Sequence, residues 1–469
     1  MAVLAAVLAA ALVAVPGARA GGPSLAIGAT EDSVRSPLLA VAKAQMNLLA
    51  LAGFRAVRIT QTWAPEEHSV SPADATILRN VSAAAALDDV QVLVSVLSQG
   101  SATTPLTDDE QSRFAAYAAS VLRAMPSTRI VIVGNEPNLN RYWLPQFNAD
   151  GSDAAAPAYE TLLARTYDAL KAVSPPVTVL GGAVSPRGGD VPGLRPTHSP
   201  TAFIRDLGTA YRASGRSTPI MDGFAFHPYE DNSSIAPVAG THPQTTTIAL
   251  ADYDKLVALL GEAFDGTAQA GSTLPIYYDE FGVESQTPPA KQQLYTGDEP
   301  TTTKPVPETT QAAYYRQAVQ LAFCQPNVRG LFLFHAFDET ALPAWQSGLY
   351  YADDSPKTSL AAVRAAMEQS RRGVVAQCPG MRLAVRPKAT QRGATLALTC
   401  DLDCVYVAQL YRLPGRLLAT RRGRAIGGRA TVLPLRVPAA QAQYRLRVSA
   451  VAGVNAGPAA TVLLPLRPG

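Results

Sequence analysis

The 469-residue sequence has few cysteines, few histidines and little net charge. Four Cys and five His occur without Cys-x-x-Cys or His-x-x-x-His spacing, so a zinc site is the weaker reading and no metal or other cofactor is implied. A net charge of +3 gives no global reason to expect nucleic acid as a partner. Beyond the N-terminus no apolar run is long enough to cross a bilayer, so no stable membrane insertion is expected. No internal repeat is visible. No G-x-G-x-x-G follows the first apolar run, which argues against a doubly wound dinucleotide fold. The Gly-rich "PRGGDVPG" (186–193) lacks the Lys-Ser/Thr of a phosphate loop and reads as loop only.

What is present begins with "MAVLAAVLAAALVAVPGARAGG". An apolar core ending in Pro16 and Ala18-Arg19-Ala20 reads as a secretory signal peptide over 1–20, with an uncleaved anchor as the alternative. An even cysteine count in an exported chain favours disulfides, best paired as Cys324–Cys378 and Cys400–Cys404. Charge is also unevenly spread. Residues 381–469 carry 14 Lys and Arg against Asp401 and Asp403, a balance of +12. The rest holds 26 bases and 35 acids, a balance of −9. That contrast suggests two bodies, 21–378 and 381–469.

Eight short apolar runs alternate with helical patterns in the first body: 24–30, 56–63, 90–98, 129–137, 177–185, 221–229, 275–282 and 328–339. Nearly unbroken apolar character marks strands covered on both faces. The intervening segments, such as 37–53 ending on Gly53 and 108–125 opening on acids, have helical spacing. Eight such units predict a (β/α)8 TIM barrel. The Pro/Thr-rich segment 284–310 falls between strands seven and eight and is expected to loop over the barrel mouth. Past Cys378, short alternating runs separated by Gly and Pro predict a small all-β sandwich of immunoglobulin or fibronectin kind.

Chemistry in such a barrel sits at the C-terminal strand ends. "IVIVGNEPNLNRYW" (130–143) carries Glu136 at the end of the fourth run, where Pro137 cannot extend a ladder. Glu280 ends the seventh run, "IYYDEFG". Two carboxylates facing each other across a mouth are the equipment of a retaining glycosidase. Alternation expects only one of Asp279 and Glu280 to face the barrel axis.

The sequence resembles the clan A glycoside hydrolases, in family 5 cellulase-like or family 39-like form, over roughly 24–370. Asn135-Glu136-Pro137 matches their acid/base motif after strand four, and Glu280 their nucleophile after strand seven. The resemblance implies that Arg58 in "AVRIT" braces the nucleophile. His227 and Tyr229 in "FHPY" match a His-x-Tyr after strand six, and Asn135 is positioned for the sugar 2-OH. Two departures bear on the substrate: His335 and Phe337 stand where a Trp follows strand eight, and no His follows strand three. Trp63, Trp143 and Trp345 are candidate sugar platforms, and Asp338 and Glu339 are mouth residues without an assigned role.

The expected function is a secreted retaining glycosidase acting on β-linked glycans. A non-catalytic glycan-binding barrel and a transglycosylase using the same residues are the alternatives. Carbohydrate is the expected partner. The basic C-terminal body suits contact with an anionic cell-wall polymer, although a solvated Arg-rich surface packed on the acidic barrel is the plainer reading.

Overall fold

The computed structural model describes residues 21–374, Cys378 and, beyond it, 383–390, 393–400, 404–427, 429–435, 443–452, 455–456 and 459–464. The signal peptide expected over 1–20 lies outside the described residues. Eight parallel strands close into a barrel in chain order: β1 (Ala26–Thr30), β2 (Ala56–Trp63), β3 (Gln91–Ser98), β4 (Ile130–Val133), β5 (Thr178–Val184), β6 (Gly223–Phe226), β7 (Ile276–Phe281) and β8 (Val328–Phe334). Pairing of β1 with β8 shuts the ring. Each strand is followed by a helix: α1 (Leu39–Ala52), α2 (Pro72–Asp88), α3 (Asp108–Ala124), α4 (Ala155–Val173), α5 (Pro200–Ala213), α6 (Tyr253–Phe264), α7 (Glu308–Cys324) and α8 (Leu360–Arg371).

Local chemistry sets these elements. Ala42, Met46, Leu49 and Ala52 form one buried stripe of α1, and Gly53 ends the helix at φ 105°, a conformation that disfavours a side chain. Thr107 and Glu110 form a reciprocal capping box at the start of α3. On β2 the period of two sends Val57, Ile59 and Trp63 outward to the helices and Arg58 inward. The barrel interior is filled by Ala56, Leu93, Ile130, Ile132, Leu180, Ala225 and Phe332, with Tyr277 against them. Phe332 fits there because its β1 partner is Gly28, where an added Cβ would stand 2.5 Å from the ring. Each fully buried Leu or Ile of this kind contributes about 1.5–3 kcal/mol relative to exposure.

The C-terminal region forms two antiparallel sheets. One has the order β13 (Thr431–Leu435), β10 (Gly393–Cys400), β9 (Leu383–Thr390). The other runs β12 (Arg416–Ala425), β11 (Cys404–Arg412), β14 (Tyr444–Ala452), β15 (Asn455–Ala456), and β16 (Ala460–Leu464) also pairs with β14. Alternate residues, among them Leu396, Leu398, Leu410, Leu446 and Val448, are buried, as expected of a sandwich. The disulfides are Cys324–Cys378 and Cys400–Cys404, the pairing expected from the sequence. Among the described residues no helix is long and apolar enough to cross a membrane.

Candidate active site

The fourth strand stops earlier than its apolar run suggests. β4 ends at Val133, and the chain then turns through Gly134 at φ 83° to Glu136 at φ 40°. Pro137 therefore does not terminate the strand, and Glu136 is delivered by a glycine turn. Two neighbouring strands hold that turn: Gly134 N donates to Val96 O and Glu136 N to Ala183 O, each at 2.8 Å. A left-handed Glu is uncommon, and such backbone typically stores about 1–3 kcal/mol against the surrounding fold.

Glu280 reaches the mouth by a different device. Tyr278 points outward and Asp279 inward, so strict alternation would turn Glu280 away from the axis. The β7–β8 register instead shifts between Tyr278 and Phe281. As a result Asp279 and Glu280 both face inward, and Phe281 packs outward on Tyr315 of α7, with ring centroids 6.3 Å apart. The expectation that only one of the two acids faces the axis is thus overturned by an irregularity in the ladder.

Arg58, only 2% exposed, ties these elements together. Its Nη1 donates to Glu280 Oε1 at 2.6 Å, and its Nη2 to Asn135 Oδ1 at 2.9 Å. Its Nε lies 3.3 Å from Asp279 Oδ2. Burial disfavours the guanidinium charge, but Glu280 and Asp279 more than offset this. Tyr229 OH donates to the other Glu280 oxygen at 3.0 Å. Burial and the two glutamates hold that phenol protonated, so it remains a donor. Asn135 uses its oxygen on Arg58, which leaves Nδ2 as a free donor.

His227 is fully buried beneath the carboxylates. Its Nδ1 lies 3.0 Å from Glu136 Oε1 and 3.5 Å from Glu280 Oε2, and its Nε2 lies 3.4 Å from Asp279 Oδ1. Burial alone would lower its pKa. The charges of Glu280 and Asp279, with hydrogen bonding to Asp279 and Glu136, carry it up to about 10. The ring is therefore an imidazolium at neutral pH. It makes the second cation, with Arg58, among three acids. The contact with Asp279, at 3.4 Å, is the longer of the two that the ring nitrogens make with Asp279 and Glu136.

Above this cluster opens a cavity of about 440 Å³. Glu136, Glu280, Tyr229 and Trp345 line it. The Trp345 ring lies tilted on Tyr229, centroids 5.0 Å apart, and Glu339 holds its loop by accepting from Trp345 N at 2.9 Å. The loop after β7 contributes Glu284, Pro300, Thr302 and Thr303 to the wall, as expected for the 284–310 segment.

Several sequence candidates fall elsewhere. Arg58 and His227 lie below the cavity and act on the carboxylates, and Asn135 lies beside it with its oxygen held by Arg58. Trp63 is fully buried on the outer side of β2. Its indole packs edge-on to Phe114 and donates to Glu67 O at 2.7 Å, so it is not a platform. Trp143 is buried edge-on against Tyr159 of α4. His335 turns its Nδ1 to Thr30 O at 2.8 Å and stacks on Phe334, and it is Phe334 that reaches the cavity wall. Asp338 is a buried anchor for Lys357 and Tyr295, each at 2.7 Å.

The sequence reading missed Tyr142, Arg187 and Glu230 in the wall. Burial, then Glu136 and Glu280, push the Tyr142 phenol up to about 12. Burial and the nearby Asp252 push Glu230 up to about 9, and neither of its oxygens has a hydrogen-bond partner. Burial likewise raises Glu284 to about 8. Tyr142 and Glu230 sit within a few residues of the motifs already singled out, and that proximity was the available signal. Among the described residues no group of three His, Cys, Asp or Glu is placed to hold a metal ion.

No family model matches the chain, and no curated protein does. Solved structures do. GH5_18 from Streptomyces cattleya in complex with GlcNAc has a TM-score of 0.50 at 19% identity, covering 75% of this chain and 81% of that one. A GH5_18 variant from Bifidobacterium longum subsp. longum in complex with Manb1-4GlcNAc has a TM-score of 0.50 at 13% identity, covering 75% and 80%. A calcium-binding mutant of Bacteroides uniformis beta-glucuronidase 2 has a TM-score of 0.45 at 14% identity. It covers 93% of this chain, and this chain spans 44% of its length. At these identities the GH5_18 likeness establishes the barrel fold.

Proposed function

We propose that the protein is a secreted retaining β-glycosidase in which Glu280 is the nucleophile and Glu136 the acid/base. One observation carries this reading: a single His227 nitrogen touches both carboxylates. Adding 3.0 and 3.5 Å limits the separation of Glu136 Oε1 and Glu280 Oε2 to 6.5 Å at most. That ceiling on the facing oxygens is compatible with the about 5–5.5 Å between carboxyl groups that double displacement needs and meets only the lower edge of the about 6.5–9.5 Å that inversion uses to admit a water.

In the first step Glu280, oriented by the Arg58 hydrogen bond at 2.6 Å, attacks the anomeric carbon. The Tyr229 hydrogen bond keeps the free carboxylate oxygen aligned. Glu136 gives its proton to the departing glycosidic oxygen, and a covalent ester forms as the aglycone leaves. In the second step Glu136 takes a proton from water, which attacks the same carbon and releases Glu280. Asn135 Nδ2 is the donor for the sugar 2-OH, and Trp345 is the platform for a ring face. The two disulfides support export to an oxidising compartment.

The test is the first-formed anomer. Proton NMR of an aryl β-glycoside digest should show the β-hemiacetal first, followed by slow mutarotation. Initial α-product would overturn the retaining assignment. Absence of turnover across aryl β-glucosides, mannosides, xylosides and glucuronides, with binding retained, would favour a glycan-binding barrel.

A further inference from the structure

The outer face of the larger C-terminal sheet bears an arginine array that the barrel does not cover. Directly paired residues in an antiparallel sheet share a face. Pairing of β11 with β12 and β14 therefore places Arg424, Val405 and Val451 in one row, and Arg422, Val407 and Ser449 in the next. Gln409 and Arg447 follow, then Leu417, Tyr411 and Arg445. The opposite set on β14, from Tyr444 to Ala450, is buried in the core, so these rows face outward. Arg422, Arg424, Arg445 and Arg447 are all exposed in the whole chain. Among the described residues none of them has an ion-pair partner. Arg445 lies over the Tyr411 ring, 5.3 Å from its centroid.

Charges on an edge strand are a common guard against edge-to-edge aggregation, and β12 is an edge. That explanation fails for Arg445 and Arg447, because β14 is flanked by β11 on one side and by β15 and β16 on the other. Packing on the acidic barrel is excluded by the exposure of all four side chains. What remains is an outward face with two arginine pairs. The members of each pair are spaced two residues apart, about 7 Å, and the pairs lie two strands apart, about 10 Å across the sheet, and are offset by four residues, about 13 Å, along it. A guanidinium donates two parallel hydrogen bonds to a carboxylate, and the Tyr411 ring with Val405, Val407 and Leu417 offers apolar surface to sugar rings.

We infer that this face binds an anionic polysaccharide bearing carboxylate groups, holding the chain on a polymer while the barrel works on it. The polysaccharide class rests on the glycosidase reading of the barrel. Binding itself needs no turnover, so the two can fail separately.

The test uses the full chain and polygalacturonate as the probe, in affinity electrophoresis at increasing salt, with a neutral β-glucan as control. Retardation by polygalacturonate and not by the glucan, fading with salt, is expected. Changing Arg422, Arg424, Arg445 and Arg447 together to Gln should weaken binding about tenfold or more at low salt. The corresponding Lys variant, which keeps charge and loses the fork, should fall between. Both variants should keep the wild-type circular dichroism and the wild-type rate on a soluble aryl glycoside. Unchanged binding by a folded Gln variant would overturn the proposal. So would equal affinity for duplex DNA or for anionic phospholipid vesicles, which would mark a general polyanion surface.

Discussion

His227 Nδ1 stands 3.0 Å from Glu136 Oε1 on a ring with no solvent exposure. The cluster around it contains Glu136, Asp279 and Glu280 as acids and Arg58 as the other base. Because its folded pKa, about 10, lies above its ordinary 6.5, the charged ring favours the folded state. That contribution is fully present below about pH 6.5 and is lost as pH rises through about 10. His227→Gln keeps a polar group of similar reach and cannot carry the charge. The stability gap between wild type and His227→Gln should be a few kcal/mol at pH 6 and shrink toward pH 10. Chemical denaturation of both proteins across that range measures it. A gap independent of pH would show that the ring is neutral in the folded protein.

Glu230 also has a raised folded pKa and so the same direction of pH dependence, but here the form that folding favours is the neutral one. Its pKa rises from 4.5 to about 9 because burial and the nearby Asp252 disfavour the anion. The neutral carboxyl is compatible with folding below about pH 4.5, and stability is lost as pH rises toward 9. Glu230→Gln removes the need to hold that proton. The variant should match wild type near pH 4.5 and exceed it at pH 8 by up to a few kcal/mol, seen as a higher Tm. Equal Tm at pH 8 would mean that the anion finds a partner in solution.

The acid/base assignment makes a leaving-group prediction. Glu136→Ala should slow glycosylation by about 10²- to 10⁴-fold for substrates whose leaving group needs a proton, and far less for a dinitrophenyl glycoside. Azide fits where the carboxylate stood and needs no base. It should restore turnover and give a β-glycosyl azide. Equal losses for good and poor leaving groups, with no azide effect, would remove Glu136 from the role.

How much of this was readable beforehand follows from what each feature depends on. The eight strands were legible because strands covered on both faces are apolar throughout, as in "VQVLVSVLS" and "LFLF". Glu136 and Glu280 were legible because each ends such a run. The shift that turns Asp279 inward beside Glu280 was not, since it arises from the β7–β8 ladder and leaves no mark in "YYDEFG". Trp63 was misplaced because its side of β2 is set by counting in twos from Arg58, not by its closeness to the strand end. Strand β12 leaves little mark in the sequence, because "RLLATRRGRA" carries arginine on both faces and so lacks the apolar alternation expected of a sandwich strand. The raised pKa of Glu230 comes from burial and from Asp252, which lies 22 positions away in sequence and next to it in space.

Nucleophile identity is the sharpest of these claims, because the bulge places two acids inward. Asp279 is fully buried, lies outside the cavity lining and faces Arg58 Nε and His227 Nε2. Glu280 lines the cavity, and Arg58 and Tyr229 each hold one of its oxygens. A 2-deoxy-2-fluoro glycosyl donor with a good leaving group should therefore esterify Glu280. The fluorine removes the 2-OH contact and destabilises the oxocarbenium-like transition state of both steps, so the ester should accumulate. Intact mass should rise by one fluorosugar, and peptide mapping should place it within "PIYYDEFGVES". Glu280→Gln should abolish labelling. Asp279→Asn should still label at Glu280, more slowly, because it removes one charge facing the Arg58–His227 pair and leaves the nucleophile in place. A label on Asp279 or Glu284 would overturn the assignment. Failure of every donor sugar to label a folded protein that still binds glycans would point instead to a barrel that recognises without cleaving.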